Sequence, residues 1–294
     1  MPRKAPKKPA AKRRKNAAHG VSRGSASHRG LAPAGRKKPI PPSRSREIRL
    51  IPIIVENEFH SDDDVADKLL EALQCDGHQI QPGDILVIKH KIISKAEGQL
   101  IDLATIIPSA ESVTWSKQYE LDPRVIELAL RESRSVIRRK NGVLITETRH
   151  GFLCANSGID VSNVDGGRHA LLLPEDPDRS AQQIHRKLQK ETGIAVPVII
   201  TDSFGRPWRE GLTECAIGIA GIKPLRDDRG QTDPQGYKLK ASVEAIADEL
   251  ACAAGLVCGK LNRAPACIVR GFPYESGEGR ILELLRPASA DLFR

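Results

Sequence analysis

The chain has 294 residues, of which 39% are hydrophobic and 3% aromatic, and its formal net charge is +9. That charge is unevenly placed: residues 1–46 hold 15 Lys or Arg and no Asp or Glu, leaving 31 basic against 37 acidic residues in the remainder, a net of −6. No apolar run approaches the ~18 residues of a membrane span, and the six cysteines form no Cys-x-x-Cys pair, so composition speaks against a membrane-spanning protein and a zinc module.

Residues 1–46 carry almost no large apolar side chains and are rich in Pro, Gly, Ala and Ser. Such a segment cannot bury enough surface to offset its chain entropy, and a disordered basic tail is predicted. It is either a solubilising extension or an arm that touches nucleic acid weakly and without sequence preference, through counterion release. It lacks the apolar centre of a secretory signal, so a cytoplasmic protein with reduced, core-type cysteines is expected.

The folded domain is predicted over residues 47–294. Ser61 and Asp62 to Asp64 start a helix to about Gln74, with Val65, Leu69, Leu70 and Leu73 on one face. Pro82-Gly83-Asp84 turns into a strand predicted over Ile85–Ile93. A helix over Pro123–Ser133, strands over Val143–Thr148 and Gly151–Ala155, and a helix over Pro177–Thr192 closed by Gly193 follow. A buried strand, Val198 to Thr201, then ends on Asp202 and Ser203 and is expected to break into a turn containing Gly205, Pro207 and Gly211. A strand over Glu214–Ile222, an Ala-rich helix over Ala241–Gly259 and a strand over Ala266–Arg270 complete the series. Helices and strands do not alternate regularly, and neither Gly-x-Gly-x-x-Gly nor Gly-x-x-x-x-Gly-Lys-Ser/Thr occurs. The fold class is therefore mixed α/β (α+β), without a standard dinucleotide or Walker-type loop.

Chemistry concentrates at the predicted strand ends. Asp202 and Ser203 offer hard oxygen ligands at a sheet edge, where α/β proteins bind their ligands. Arg206 and Arg209 flank the same turn and suit bidentate capture of phosphate or carboxylate. Ser94 and Lys95 combine a hydroxyl with a point charge, which suits polyphosphate or simply an exposed strand end. The segment from Gly151 to Asn163 is dense in oxygen ligands, with Asp160 a second metal carboxylate and Asn163 a hydrogen-bonding group for a base or ribose; an Asx-rich turn reads equally well. Asp227 to Asp233 is a lid or a plain loop. The Cys258 to Pro265 segment closes a helix with glycine, yet Lys260 and Arg263 can reach an anion. Two carboxylates with several cations fit a metal–nucleotide site for phosphoryl transfer.

Ile93-Ser-Lys-Ala-Glu-Gly98, Ala155-Asn-Ser-Gly-Ile-Asp160 with Ser162-Asn163, Thr201-Asp-Ser-Phe-Gly-Arg-Pro-Trp-Arg-Glu-Gly211 and Ala247-Asp-Glu-Leu-Ala251 closely resemble the coenzyme F420-0:L-glutamate ligase family. The resemblance runs from about Ile48 to the C-terminal end and leaves out the tail. It implies an unusual mixed-sheet fold, a homodimer, and a GTP-dependent ligase using Mg²⁺ or Mn²⁺ with K⁺. Such an enzyme adds L-glutamate through γ-linkages to the phospholactyl-deazaflavin F420-0. The acceptor carboxylate is phosphorylated by GTP, and the glutamate amine attacks the acyl phosphate, releasing GDP and phosphate.

Carried over by position, the resemblance implies Asp160, Asp202 and Ser203 as metal ligands; Asp202 with the flanking clamp of Arg206 and Arg209 is the expected catalytic group. The resemblance implies nucleotide contacts from Ile51, Pro52, Ile53 and Ile54, from Ser94, Lys95, Gln99 and Asn163, and from Cys258, Gly259, Lys260, Leu261, Asn262, Arg263, Ala264 and Pro265. Three positions depart from the family pattern. Val55-Glu56-Asn57-Glu58 replaces a glycine-aspartate turn, Gln99 stands at a commonly basic position, and Lys260 stands where some relatives place an acidic or amide ligand to a second metal. A fused nitroreductase-like domain, as in some bacterial relatives, is not expected. Two alternatives remain at this level: an amide ligase acting on another carboxylate-bearing acceptor, and a degenerate domain whose basic arm binds nucleic acid.

Overall fold

The computed structural model describes residues 47–161 and 165–291; the predicted tail and Asn163 lie outside the described residues. β1 (Arg49–Ile53) is followed by α1 (Val65–Cys75). The helix starts a turn later than the acidic run suggested, because the Asp64 side chain caps it by accepting from the Asp67 amide at 3.0 Å while Asp62 sits at φ 67°. Val65, Ala66, Leu69 and Leu73 form its buried face.

β2 (Ile85–Lys89) stops four residues earlier than predicted and passes directly into α2 (His90–Ala96). Ile92 and Ile93 are buried either way, so a short apolar run does not distinguish strand from helix. The pairing partners settle it: β2 loses its neighbours after Lys89, whose amide donates to Pro265 O at 2.8 Å. Ser94 and Lys95 therefore stand on a helix and not at a strand end.

β3 (Leu100–Asp102) precedes two helices, α3 (Ala110–Tyr119), which sequence reading missed, and α4 (Pro123–Arg131). Capping by Ser109 and Asp122, with Pro123 in the first turn, fixes where they start. β4 (Ser133–Lys140), β5 (Val143–Thr148) and β6 (Leu153–Ala155) make a three-stranded antiparallel sheet in that order. β4, also unpredicted, is an edge strand dense in Arg and Lys, a composition that blocks further pairing. β7 (His169–Leu171) pairs with β3. α5 (Pro177–Thr192) has its predicted bounds, with Asp176 at one end and Gly193 at φ 73° at the other.

β8 (Val198–Arg206) and β9 (Arg209–Ala220) form a long hairpin around Pro207-Trp208. The predicted turn from Gly205 to Gly211 is thus reduced to its two central residues, and Asp202 and Ser203 lie within a strand. β10 (Arg226–Asp227) pairs with β11 (Val243–Glu244), and Thr232 bridges Lys238, so both ends of the Asp227–Asp233 region are tied down. α6 (Ile246–Cys258) starts five residues later than predicted, and β12 (Ala266–Arg270) has its predicted bounds.

The main sheet has the order β1-β12-β2-β8-β9, with β2 and β8 parallel and the other neighbours antiparallel. The mixed α/β class predicted from sequence is what this sheet and its helices form. Ile85, Leu86, Ile88, Ile199 and Ile200 are fully buried, each contributing about 1.5–3 kcal/mol by leaving water. α5 packs on β8 and β9, and α6 on β1, β9 and β12. Gly218 makes the first of these contacts possible, since a Cβ there would lie 2.4 Å from Pro177 O. Asp178 ties the same corner to the C-terminal segment by accepting from the Ile219 and Ile281 amides at 2.9 and 3.1 Å. Burial raises the pKa of its carboxyl group.

One consequence of the topology governs function. β1, β2 and β8 all run in the same direction, so their C-terminal ends meet at one edge, where β12 begins. Residues 55–59, 89–95, 201–205 and 258–265 are brought together there, although up to about 200 positions apart in sequence.

Candidate active site

That edge opens into a cleft of about 580 Å³, within the usual range for small-molecule sites. The segment from Cys154 to Asp160 forms a further wall. It is held in an uncommon backbone shape: Asn156, Ser157 and Gly158 have φ of 50°, 55° and 71° in succession. Buried hydrogen bonds enforce this, with the Ser157 hydroxyl on Ala129 O at 2.7 Å and its amide on Thr146 Oγ1 at 3.0 Å. Strained turns of this kind persist where tertiary contacts over-determine them. Asp160 leaves the turn paired with Leu171 through two backbone hydrogen bonds, of 3.0 and 2.8 Å.

Asp160, Asp202 and Ser203 all line the cleft. Lys91 from α2 places its ammonium 2.6 Å from Asp160 Oδ2. Asp202 Oδ1 accepts from the Ser203 amide at 2.7 Å and lies 3.4 Å from Nε2 of the buried His90. The other ring nitrogen of His90 meets Ser94 Oγ at 3.2 Å, which explains why Ser94 is fully buried beneath the site and not among its lining residues. Cys154 and Cys215 lie close to Asp202, and burial pushes both thiols up to about 12. They stay protonated at neutral pH and are not nucleophiles.

The cations come from several segments. Lys89, Lys95, Lys260 and Arg263 line the cleft, as do Cys258, Gly259, Ala264 and Pro265. Lys95 is ion-paired with Glu58, in the segment that departs from the family pattern. That bond holds the Glu58 carboxyl below its usual range. If Lys95 receives phosphate, Lys95→Ala raises the Michaelis constant for nucleotide several-fold; the side chain is only 18% exposed, so the thermal midpoint measured beside it separates lost packing from lost binding. Unchanged nucleotide affinity by calorimetry would reduce Lys95 to a partner of Glu58.

Other predicted contacts lie elsewhere. Ile51, Pro52 and Ile53 belong to β1, with Ile53 fully buried, and Ile54 precedes the segment that reaches the cleft. Gln99 is used through its backbone, donating to Ser94 O and accepting from Leu172 N. Leu261 and Asn262 project beside the cleft, the first exposed and the second folded back on Val257 O. Arg206 and Arg209 flank the hairpin tip outside the lining, Arg206 donating to Glu210 O at 3.0 Å. Of the six cysteines, all free, Cys75 is exposed at the end of α1, so the expectation of a uniformly buried set fails there.

Sequence reading passed over four residues that the fold brings in: Lys89, His90, Lys91 and Glu214. Glu214 stands opposite Ser203 in the β8–β9 register. Recognising Pro207-Trp208 as a hairpin turn would have placed Leu212 opposite Ser203; the register shift between Gly205 and Arg206 moves Glu214 there instead.

A family model for F420-0:gamma-glutamyl ligase matches residues 54–271. The chain is 46% identical over 235 residues to the coenzyme F420:L-glutamate ligase of Methanothermobacter thermautotrophicus, covering 79% of this chain and 93% of that one. It is 41% identical over 252 residues to the Methanopyrus kandleri protein of the same name, covering 84% and 98%. For that of Methanocaldococcus jannaschii the figures are 44% over 220 residues, 74% and 87%.

Proposed function

The chain belongs to the F420-0:gamma-glutamyl ligase family, and we propose that it joins L-glutamate to coenzyme F420-0 in a GTP-dependent reaction. The observation that supports this most is the convergence of Asp160 and Asp202 with Lys95, Lys260 and Arg263 in one cleft at the sheet edge. The cations draw in a polyphosphate and hold it against the acceptor carboxylate. Phosphoryl transfer from GTP converts that carboxylate into an acyl phosphate. The amine of glutamate then attacks the acyl carbon, an amide bond forms, and phosphate leaves with GDP already released from the transferred group.

A divalent cation suits this donor set. Among the described residues no three His, Cys, Asp or Glu side chains gather as a closed metal site, and Mg²⁺ does not need one: it is held by one or two carboxylates, substrate phosphates and water. Asp160 and Asp202 are the carboxylates, and the ion supplies charge neutralisation on the transferred phosphoryl group. Lys91, a quarter exposed, is ion-paired with Asp160, and a cation bound at Asp160 takes the place of that ammonium.

The test is direct. Full-length protein incubated with F420-0, GTP, Mn²⁺ and glutamate is expected to yield product heavier by whole glutamyl units. Unchanged F420-0 mass, with GTP not hydrolysed, would overturn the reading.

A further inference from the structure

At the floor of the cleft, the Glu214 carboxylate is enclosed by donors. Its Oε1 accepts from Lys89 Nζ at 2.7 Å and from Ser203 Oγ at 2.9 Å, and its Oε2 accepts from Thr201 Oγ1 at 3.0 Å. The side chain is only 11% exposed. α6 makes room for it with Gly255, where a Cβ would lie 2.6 Å from Glu214 Cγ. A strand register, a glycine in a helix and three partners from two neighbouring strands all fix one rotamer.

The direction of these hydrogen bonds has a chemical consequence. A carboxylate accepts only, so both hydroxyls must spend their single proton on Glu214. Ser203 then has nothing left to donate, and turns lone pairs alone toward the cleft. We infer that Glu214 is a positioning residue, setting the polarity of Ser203 so that this part of the floor receives a divalent cation and repels a phosphate oxygen. The inference rests on the ligase reading above, and extends it to a residue outside the metal and nucleotide set.

Glu214→Gln tests this at nearly constant volume. The carboxamide donates from one side, so one of the two hydroxyls must turn its proton away from residue 214, and Ser203 does so when the amide nitrogen takes the Oε1 position. Mn²⁺ binding, read from the free-ion EPR signal with no substrate present, is expected to weaken about tenfold or more, and the Mn²⁺ concentration for half-maximal turnover to rise in parallel. Ser203→Ala is expected to weaken Mn²⁺ binding similarly, and Glu214→Gln added to it to cost little more, because the two act as a unit. Lys89→Met removes the ion pair yet leaves both hydroxyls donating, so it should not weaken Mn²⁺ binding. Wild-type affinity for Mn²⁺ in Glu214→Gln would overturn the inference. Equal weakening in Lys89→Met and Glu214→Gln, with matching losses in thermal midpoint, would do so too by showing general loosening of the floor. Wild-type protein carried through both assays separates these results from a failure of the ligase reading itself.

Discussion

Asp202→Asn is expected to leave the protein folded and to lower glutamate ligation by about a hundredfold or more. The fold should survive because the substitution keeps shape and keeps the local contact. Asp202 Oδ1 accepts from the Ser203 amide at 2.7 Å, and an asparagine oxygen does the same. What disappears is the charge. In the proposed reaction Asp202 anchors a cation against the transferring phosphoryl group, so a neutral amide leaves that developing charge without its counterion. The side chain is 16% exposed, so water replaces it poorly. Turnover at saturating GTP and Mn²⁺, beside a thermal midpoint, gives the answer. Near wild-type turnover in a folded variant would remove Asp202 from the chemistry. A loss fully matched by unfolding would make it a structural residue.

Asp202 was readable from sequence because its signal is local: a β-branched run, then carboxylate, hydroxyl and glycine within a few positions. Helices with chemical endpoints were readable for the same reason, as with α5 between Asp176 and Gly193. What stayed hidden depends on pairing between distant segments. Whether Ile92 and Ile93 continue a strand or enter a helix is decided by where β8 and β12 stop accompanying β2. Glu214 looks like any strand carboxylate until the hairpin places it opposite Ser203 and Gly255 gives it space. β4 reads as a charged surface segment because an edge strand with a solvated face has little apolar alternation. Family motifs compensate for part of this, since they mark positions without requiring their contacts, but they carried no signal for Glu214 or His90.

The sheet that gathers the site depends on a charge pair remote from it. Asp84, fully buried at the entrance to β2, is gripped by Arg270 at the end of β12, with Nε and Nη2 each 2.8 Å from a carboxylate oxygen. Arg270 also donates to Gln79 O at 2.9 Å, and Asp84 Oδ2 accepts from the Gln81 amide at 2.8 Å. The pair therefore closes the loop before β2 onto its antiparallel neighbour. Arg270→Met preserves much of the aliphatic stem and strands a buried carboxylate, a change that typically costs about 3–5 kcal/mol. Urea unfolding should report a loss of that order with an unchanged slope. Asp84→Asn added to Arg270→Met should recover a good part of it, because a neutral amide is far less costly to bury than an unpaired charge. A loss under about 1 kcal/mol in the single variant would show that water reaches Asp84 once the guanidinium is gone. Failure of the second substitution to recover stability would assign the loss to packing of the arginine stem and not to the stranded charge.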